Sequence, residues 1–69
     1  MVNLWAYSAG DKIRIIDNNG DIFTGEIVDI TEAGERSDLE PEKDCITISC
    51  GGIHIQFENE EVVSIVRIL

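Results

Sequence analysis

Few side chains in this 69-residue chain could do chemistry. The single histidine is His54, and the candidate nucleophiles are Cys45, Cys50, Ser49 and Ser64. Nucleophilic catalysis needs a positioned base and a third group that orients it. These residues fall in short strand-like stretches whose spacing marks no such trio, so no catalytic residue is expected and the chain reads as a non-enzyme. Structural zinc sites combine two close pairs of ligands. Cys45, Cys50 and His54 supply one pair and a lone histidine, so no metal site is assigned. The acids Glu32, Glu35, Asp38, Glu40 and Glu42 lack the alternating Asp/Asn ligands and central glycine of a calcium loop. A solvated charge run is the plainer reading. Trp5, Tyr7 and Phe57 could stack on bases, although in a chain so poor in aromatics they serve better as core or interface anchors. No cofactor is expected.

The charge balance narrows the partners. Fourteen acids against five cations give a net charge of −9, which repels phosphate backbones at long range. Its simplest effect is to keep the protein soluble. Only Lys12, Arg14, Arg36, Lys43 and Arg67 could build a local basic site. A chain this short holds one domain, spanning 1–69, and buries only about 60% of its unfolded surface. Small domains gain stability from disulfides, metals or oligomerisation. Cys45 and Cys50 sit in one strand-like stretch, roughly 16 Å apart and on opposite faces, which is beyond disulfide reach. Oligomerisation is therefore the expected staple. With no leader-like segment and no apolar run of membrane-spanning length, the expected setting is cytoplasmic, with no membrane partner.

The elements that must position these residues read as short strands. Met1 to Gly10 is either one helical turn or an extended arm that lays Trp5 on the body. Lys12–Asp17 alternates, with Ile13 and Ile15 on one side and Lys12 and Arg14 on the other. Asn18-Asn19-Gly20-Asp21 is a hairpin signal. A second strand runs from Ile22 to about Ile30, with Phe23 and Ile27 on one face. Gly25 marks a bulge or sharp bend, after which Val28 and Ile30 fall on the opposite parity. The polar stretch 31–44 reads as an acidic loop inserted in the domain, either functional or disordered at that length. Cys45–Cys50 turns Ile46 and Ile48 inward. After the Gly51-Gly52 turn, Ile53–Phe57 points Ile53, Ile55 and Phe57 inward and His54 and Gln56 outward. Glu58 to Glu61 is a charged turn. Val62–Leu69 does not alternate: both of its faces are apolar, so one must pack in the core and the other be covered by the N-terminal arm or a neighbouring subunit. Five such strands predict an all-β fold, a small, strongly bent antiparallel barrel.

The residues also resemble the Sm-like family (Sm, LSm and Hfq proteins), over residues 12 to 30 and 45 to 69. Ile13-Arg14-Ile15, Asn19-Gly20, Phe23-Thr24-Gly25 and Ile27 match its first motif, and Glu58-Asn59-Glu60-Glu61-Val62-Val63-Ser64-Ile65 has the spacing of its second. Src-homology-3-like and translation-factor barrels share such apolar and glycine patterns. The resemblance implies a homo-oligomeric ring, a hexamer or heptamer, in which the fourth strand of one subunit pairs with the fifth of the next. Here that interface would draw on Ile53, Ile55, Phe57, Val62, Val66 and Ile68. RNA-binding members clamp a base with an Asp-to-Asn stretch after the second strand and with the Arg-Gly of the second motif. In this chain Thr31 stands near the expected Asp, Glu58 replaces the arginine and Asn59 the glycine. A carboxylate in place of a guanidinium removes donors and adds repulsion toward phosphate.

Two functions follow as expectations. One is a ring-forming module that touches RNA, with His54, Gln56, Asn59 and Thr31 as its ligand contacts. The other is a protein-interaction or scaffold module on the same ring, whose acidic loop engages a basic protein.

Overall fold

The computed structural model describes residues 3–32 and 44–68. The strands are β1 (Lys12–Asp17), β2 (Ile22–Thr31), β3 (Cys45–Cys50), β4 (Ile53–Glu58) and β5 (Val62–Arg67). One 3-10 turn, Leu4–Ala6, precedes β1, and a second, Asn59–Glu61, joins β4 to β5. All pairings are antiparallel, in the order β4-β3-β2-β1-β5. The five expected strands are present, but the barrel expectation is met only in part: the sheet is open, with β4 and β5 as its two edges.

Alternation works where the ladder is regular. Ile13 and Ile15 are fully buried, while Lys12 and Arg14 are exposed. Asp17 continues the buried parity, and its carboxylate accepts the backbone N–H groups of Asn19 at 3.0 Å and Asp21 at 2.9 Å. A buried charge is tolerated when hydrogen bonds replace its hydration. Here they shape the Asn18-Asn19-Gly20 turn, where Gly20 takes the positive φ that its side chain-free backbone permits.

Alternation fails at two register shifts. In β2 the pairing steps from Ile27 with Ile48 to Asp29 with Thr47, leaving Val28 as the extra residue. Ile27 and Ile30 then both turn to the core, three positions apart, and Val28 turns out. In β5 the pairing steps from Ser64 with Ile16 to Val62 with Asp17, leaving Val63 unpaired and exposed. Val62 and Ile65 therefore share the core face, although the simple alternation had set them on opposite faces. A bulge changes which face every later residue meets, and this explains the doubly apolar reading of β5.

Gly25 is not itself the bulge, since it pairs regularly with Ile13. A Cβ placed there would stand 2.3 Å from the Ser49 carbonyl oxygen and 3.0 Å from the Ser49 carbonyl carbon. The β3 backbone thus folds over β2 at this point. In a flat sheet β4 and β5 would lie about 19 Å apart, yet Phe57 of β4 and Val62 of β5 belong to one core with Leu4, Ile13, Ile15, Ile27, Ile46 and Ile48. The Phe23 and Phe57 rings meet edge to face with centroids 5.1 Å apart, across the intervening β3. The sheet curls around its own apolar face without closing. One inward assignment is corrected: Ile53 is 67% exposed, because it lies at the turn end of edge strand β4, beyond the reach of the core.

The N-terminal segment is a turn, and Leu4 rather than Trp5 plugs the core. Trp5 is 52% exposed and donates its indole N–H to Asp44 Oδ2 at 2.9 Å. Of the residues expected in a loop, Thr31 pairs with Cys45 in the sheet, and the Asp44 carbonyl accepts the Asn59 N–H. Residues 33–43 lie outside those described. The chain ends meet where Tyr7 donates its hydroxyl to the Ile65 carbonyl at 3.1 Å, and Arg67 bridges Asp11 at 3.0 Å while its guanidinium lies over the Tyr7 ring.

Two outcomes follow. Gly25→Ala forces backbone against backbone and should lower stability by about 2 kcal/mol or more, read as a lower urea midpoint; an unchanged midpoint would show that β2 and β3 separate freely. The Asp11 carboxyl is held below its ordinary value of 3.8, first by the Ser8 N–H and then by Arg67. A depressed carboxyl contributes stability that is present above its unfolded value and lost as pH falls through its folded one. Arg67→Gln should therefore melt earlier than the parent near neutrality, with the two curves converging in acid; a constant gap in melting temperature down to about pH 2 would assign the effect to packing instead.

Candidate functional site

The face of β2, β3 and β4 that turns away from the core carries three rows of polar residues set by the ladder. They are Thr31–Cys45–Glu58, Asp29–Thr47–Gln56 and Glu26–Ser49–His54. Residues 45, 47 and 49 share this face because 46 and 48 are buried on the other. Gln56 and His54 thus come to the outward surface, as the alternation implied, and Thr31, expected at the start of the loop, joins them at the end of β2. They do not converge on one point: strand spacing and rise place Thr31 and His54 roughly 17 Å apart, too far for both to hold one small ligand. Asn59 lies apart from them, buried in the second 3-10 turn, and its side-chain Oδ1 meets no hydrogen-bond donor.

The chemistry of this face is acidic and hydrogen-bonding. Glu26, Asp29 and Glu58 are exposed and no lysine or arginine shares the rows. The Glu26–Ser49–His54 row contains an acid, a hydroxyl and an imidazole, but the ladder sets the serine in the middle. A relay requires the imidazole between acid and nucleophile, so this row does not supply one. Among the described residues no group of three or more His, Cys, Asp or Glu could hold a metal ion. No helix among them is long and apolar enough to cross a membrane.

Cys45 faces this polar side yet is only 2% exposed. Burial pushes its thiol above 9.0, and the neighbouring Glu58 carboxylate adds to the shift; a hydrogen bond with Gln56 opposes it. Glu58 and Asn59, the two positions expected to depart from an Arg-Gly clamp, have structural work. Glu58 and Glu61 form a reciprocal capping box, with the Glu58 N–H donating to Glu61 Oε1 at 2.8 Å. Asn59 ties the turn to Asp44.

The sheet edges are the second feature. Edge strand β4 presents Ile53, and edge strand β5 presents Val63 at 62% and Val66 at 51% exposure. Ile55 and Ile68 are half-buried, whereas the Phe57 and Val62 side chains are buried in the chain's own core. Of the six residues expected at an interface, those two could join one only through their backbone. Every cation among the described residues, Lys12, Arg14 and Arg67, lies on β1 or β5. Most of the described acids lie outside those two strands, but Asp17 is on β1 and Asp11, just before it, pairs with Arg67. Sequence reasoning missed this uneven spread of charge, although Arg67 is the sole charge of the last strand.

No family model, curated protein or solved structure matches the chain.

The thiol environment has a direct test. Cys45 should resist alkylation in the native state at about pH 8 and react only after unfolding, because the attacking species is the thiolate. Mass-spectrometric mapping after a brief iodoacetamide pulse reads this out, and equal labelling of Cys45 and Cys50 would contradict the burial.

Proposed function

We propose that the chain is a self-assembling binding module of the Sm-like type, whose subunits join head to tail by adding β4 of one copy to β5 of the next, and whose outward polar face engages a basic protein partner. The observation that carries this reading is the pair of open edges: two strands of equal length at opposite sides of one sheet, with Ile53 on one and Val63 and Val66 on the other exposed. Unpaired edges with apolar side chains invite strand addition, in which main-chain hydrogen bonds provide the adhesion. Two different edges make a heterologous contact, which closes into a ring when the rotation between subunits permits. The acids of edge strand β4 and its turn, Glu58, Glu60 and Glu61, against Arg67 as the one charge of β5 favour head-to-tail order over like-to-like contact.

The protein partner is favoured over RNA by the outward face. It offers carboxylates, hydroxyls, an amide and an imidazole but no cation, and phosphate contacts are what give nucleic-acid binding its affinity. Glu58 and Asn59, at the clamp positions, are engaged in the turn between β4 and β5.

The native mass in solution tests the assembly. A hexamer or heptamer is expected by light scattering at tens of micromolar protein, and Ile53→Lys or Val66→Lys should shift it to smaller species by placing a charge in the joint. A parent protein that stays monomeric under these conditions removes the proposal. Fluorescence polarisation with short U-rich and A-rich RNA at low salt tests the partner class: no saturable binding is expected, and tight binding that weakens with salt would reassign the outward face to RNA.

A further inference from the structure

We infer that the N-terminal turn guards the β5 edge, so that assembly proceeds by exchanging the Tyr7 side chain for the backbone of an incoming strand. The inference rests on the head-to-tail reading and concerns the control of its joint.

The ladder fixes which backbone groups the edge offers. Antiparallel partners alternate between pairs that exchange hydrogen bonds and pairs that do not. The Ile68 N–H donates to the Lys12 carbonyl at 2.8 Å, so Lys12 and Ile68 form a bonded pair. Along the same register Arg14 with Val66 is bonded as well, whereas Ile13 with Arg67 and Ile15 with Ile65 are not. Ile65 and Arg67 therefore turn their N–H and C=O groups away from β1, to the open side of β5. These are the groups that an added strand must meet.

One of them is already engaged within the chain. The Tyr7 hydroxyl donates to the Ile65 carbonyl at 3.1 Å. An incoming amide nitrogen would stand about 2.9 Å from the same oxygen, and the added strand would run about 4.8 Å from β5. The phenol end thus stands inside the lane that strand would take. Arg67 steadies the ring: its guanidinium carbon lies 5.2 Å from the ring centroid, and its Nη2 donates to the Ala6 carbonyl at 3.3 Å and to Asp11 Oδ2 at 3.0 Å. The far end of the turn is tied by Leu4 in the core and by Trp5 on Asp44. Tyr7 is only half-buried, so its side chain can leave the edge while Leu4 keeps its place.

A removable cover makes the edge selective. Bare edges pair with any strand they meet, and proteins commonly blunt or cover them. Here the cover is one tyrosine, whose hydrogen bond is of the same kind as the one that replaces it. A segment that meets only the Ile65 carbonyl gains nothing over the cover. A strand that pairs along both Ile65 and Arg67 does, and β4 of a second copy is such a strand.

Tyr7 is the chain's sole tyrosine, so a carbon-13 label on its ring reports on it alone. Native mass and that signal are followed together over a dilution series of the full chain. As the mass rises with concentration, the Tyr7 signal should leave its monomer position for that of a tyrosine that has lost its acceptor. Tyr7→Phe keeps the ring on the core and removes the hydroxyl. It should assemble at about fivefold lower concentration, the net worth of one hydrogen bond, with the peptide-bond dichroism of the dilute monomer unchanged. Assembly with an unmoved Tyr7 signal, or a Tyr7→Phe midpoint equal to or above the parent's, overturns the guard and leaves the head-to-tail reading standing. A parent that stays monomeric while Tyr7→Phe assembles supports the guard and removes the ring of the parent chain. If neither assembles, both fall.

Discussion

The approach of the β3 backbone to Gly25 is the constraint on which the fold rests. Where a side chain would stand, the Ser49 carbonyl lies at 2.3 Å, so the sheet can curl only if this position carries hydrogen alone. Curling lets residues from the two edges enter one core, and a chain of this size has little apolar surface to spare for two separate ones. The two bulges set their extra residues, Val28 and Val63, on the outer side, and so keep Ile27, Ile30, Val62 and Ile65 together on the inner one. A bulge also bends its strand and raises the local twist, in keeping with the curl.

The ends of the chain complete what the curl begins. Leu4 fills the core from the N-terminal turn, and the Tyr7, Asp11 and Arg67 contacts fasten that turn to β5. The second 3-10 turn is held from two directions: the Asn18 N–H donates to the Glu61 carbonyl, and the Asn59 N–H to the Asp44 carbonyl. Polar contacts therefore gather at the rim of the sheet, where strands stop and backbone groups lose their ladder partners.

Much of this was legible in the sequence. The five strands and the Asn-Gly hairpin followed from local patterns, and so did the special role of Gly25. Ile13 with Ile15 and Ile46 with Ile48 took the faces that alternation gave them. The bulges were not legible as such, because a register shift is a relation between two strands: β5 looked apolar on both faces, and only its pairing with β1 shows Val63 stepping out. Of the two readings of the N-terminal segment, the turn is the one observed, but which side chain it buries was not legible: the 3-10 geometry turns Leu4 inward and leaves the indole to Asp44. Of the candidate contacts, His54 and Gln56 took the outward face because strand parity is local information, whereas Thr31 reached it only because β2 runs one residue further than its pattern showed. Asn59 did not, since burial in a turn depends on what packs over it. The contacts of Arg67 with Ala6, Tyr7 and Asp11 join residues far apart in the chain, and no local pattern announces them.

The Trp5–Asp44 contact gives the molecule a built-in reporter. Trp5 is the chain's sole tryptophan, half in water, with its N–H on a carboxylate next to the first residue of β3. Its emission senses the docking of the N-terminal turn rather than the packing of the strands. Peptide-bond dichroism senses the strands. Where the two signals part company on heating, the turn has detached from a sheet that is still intact, and the molecule has shown that its edge and its centre melt as separate cooperative units.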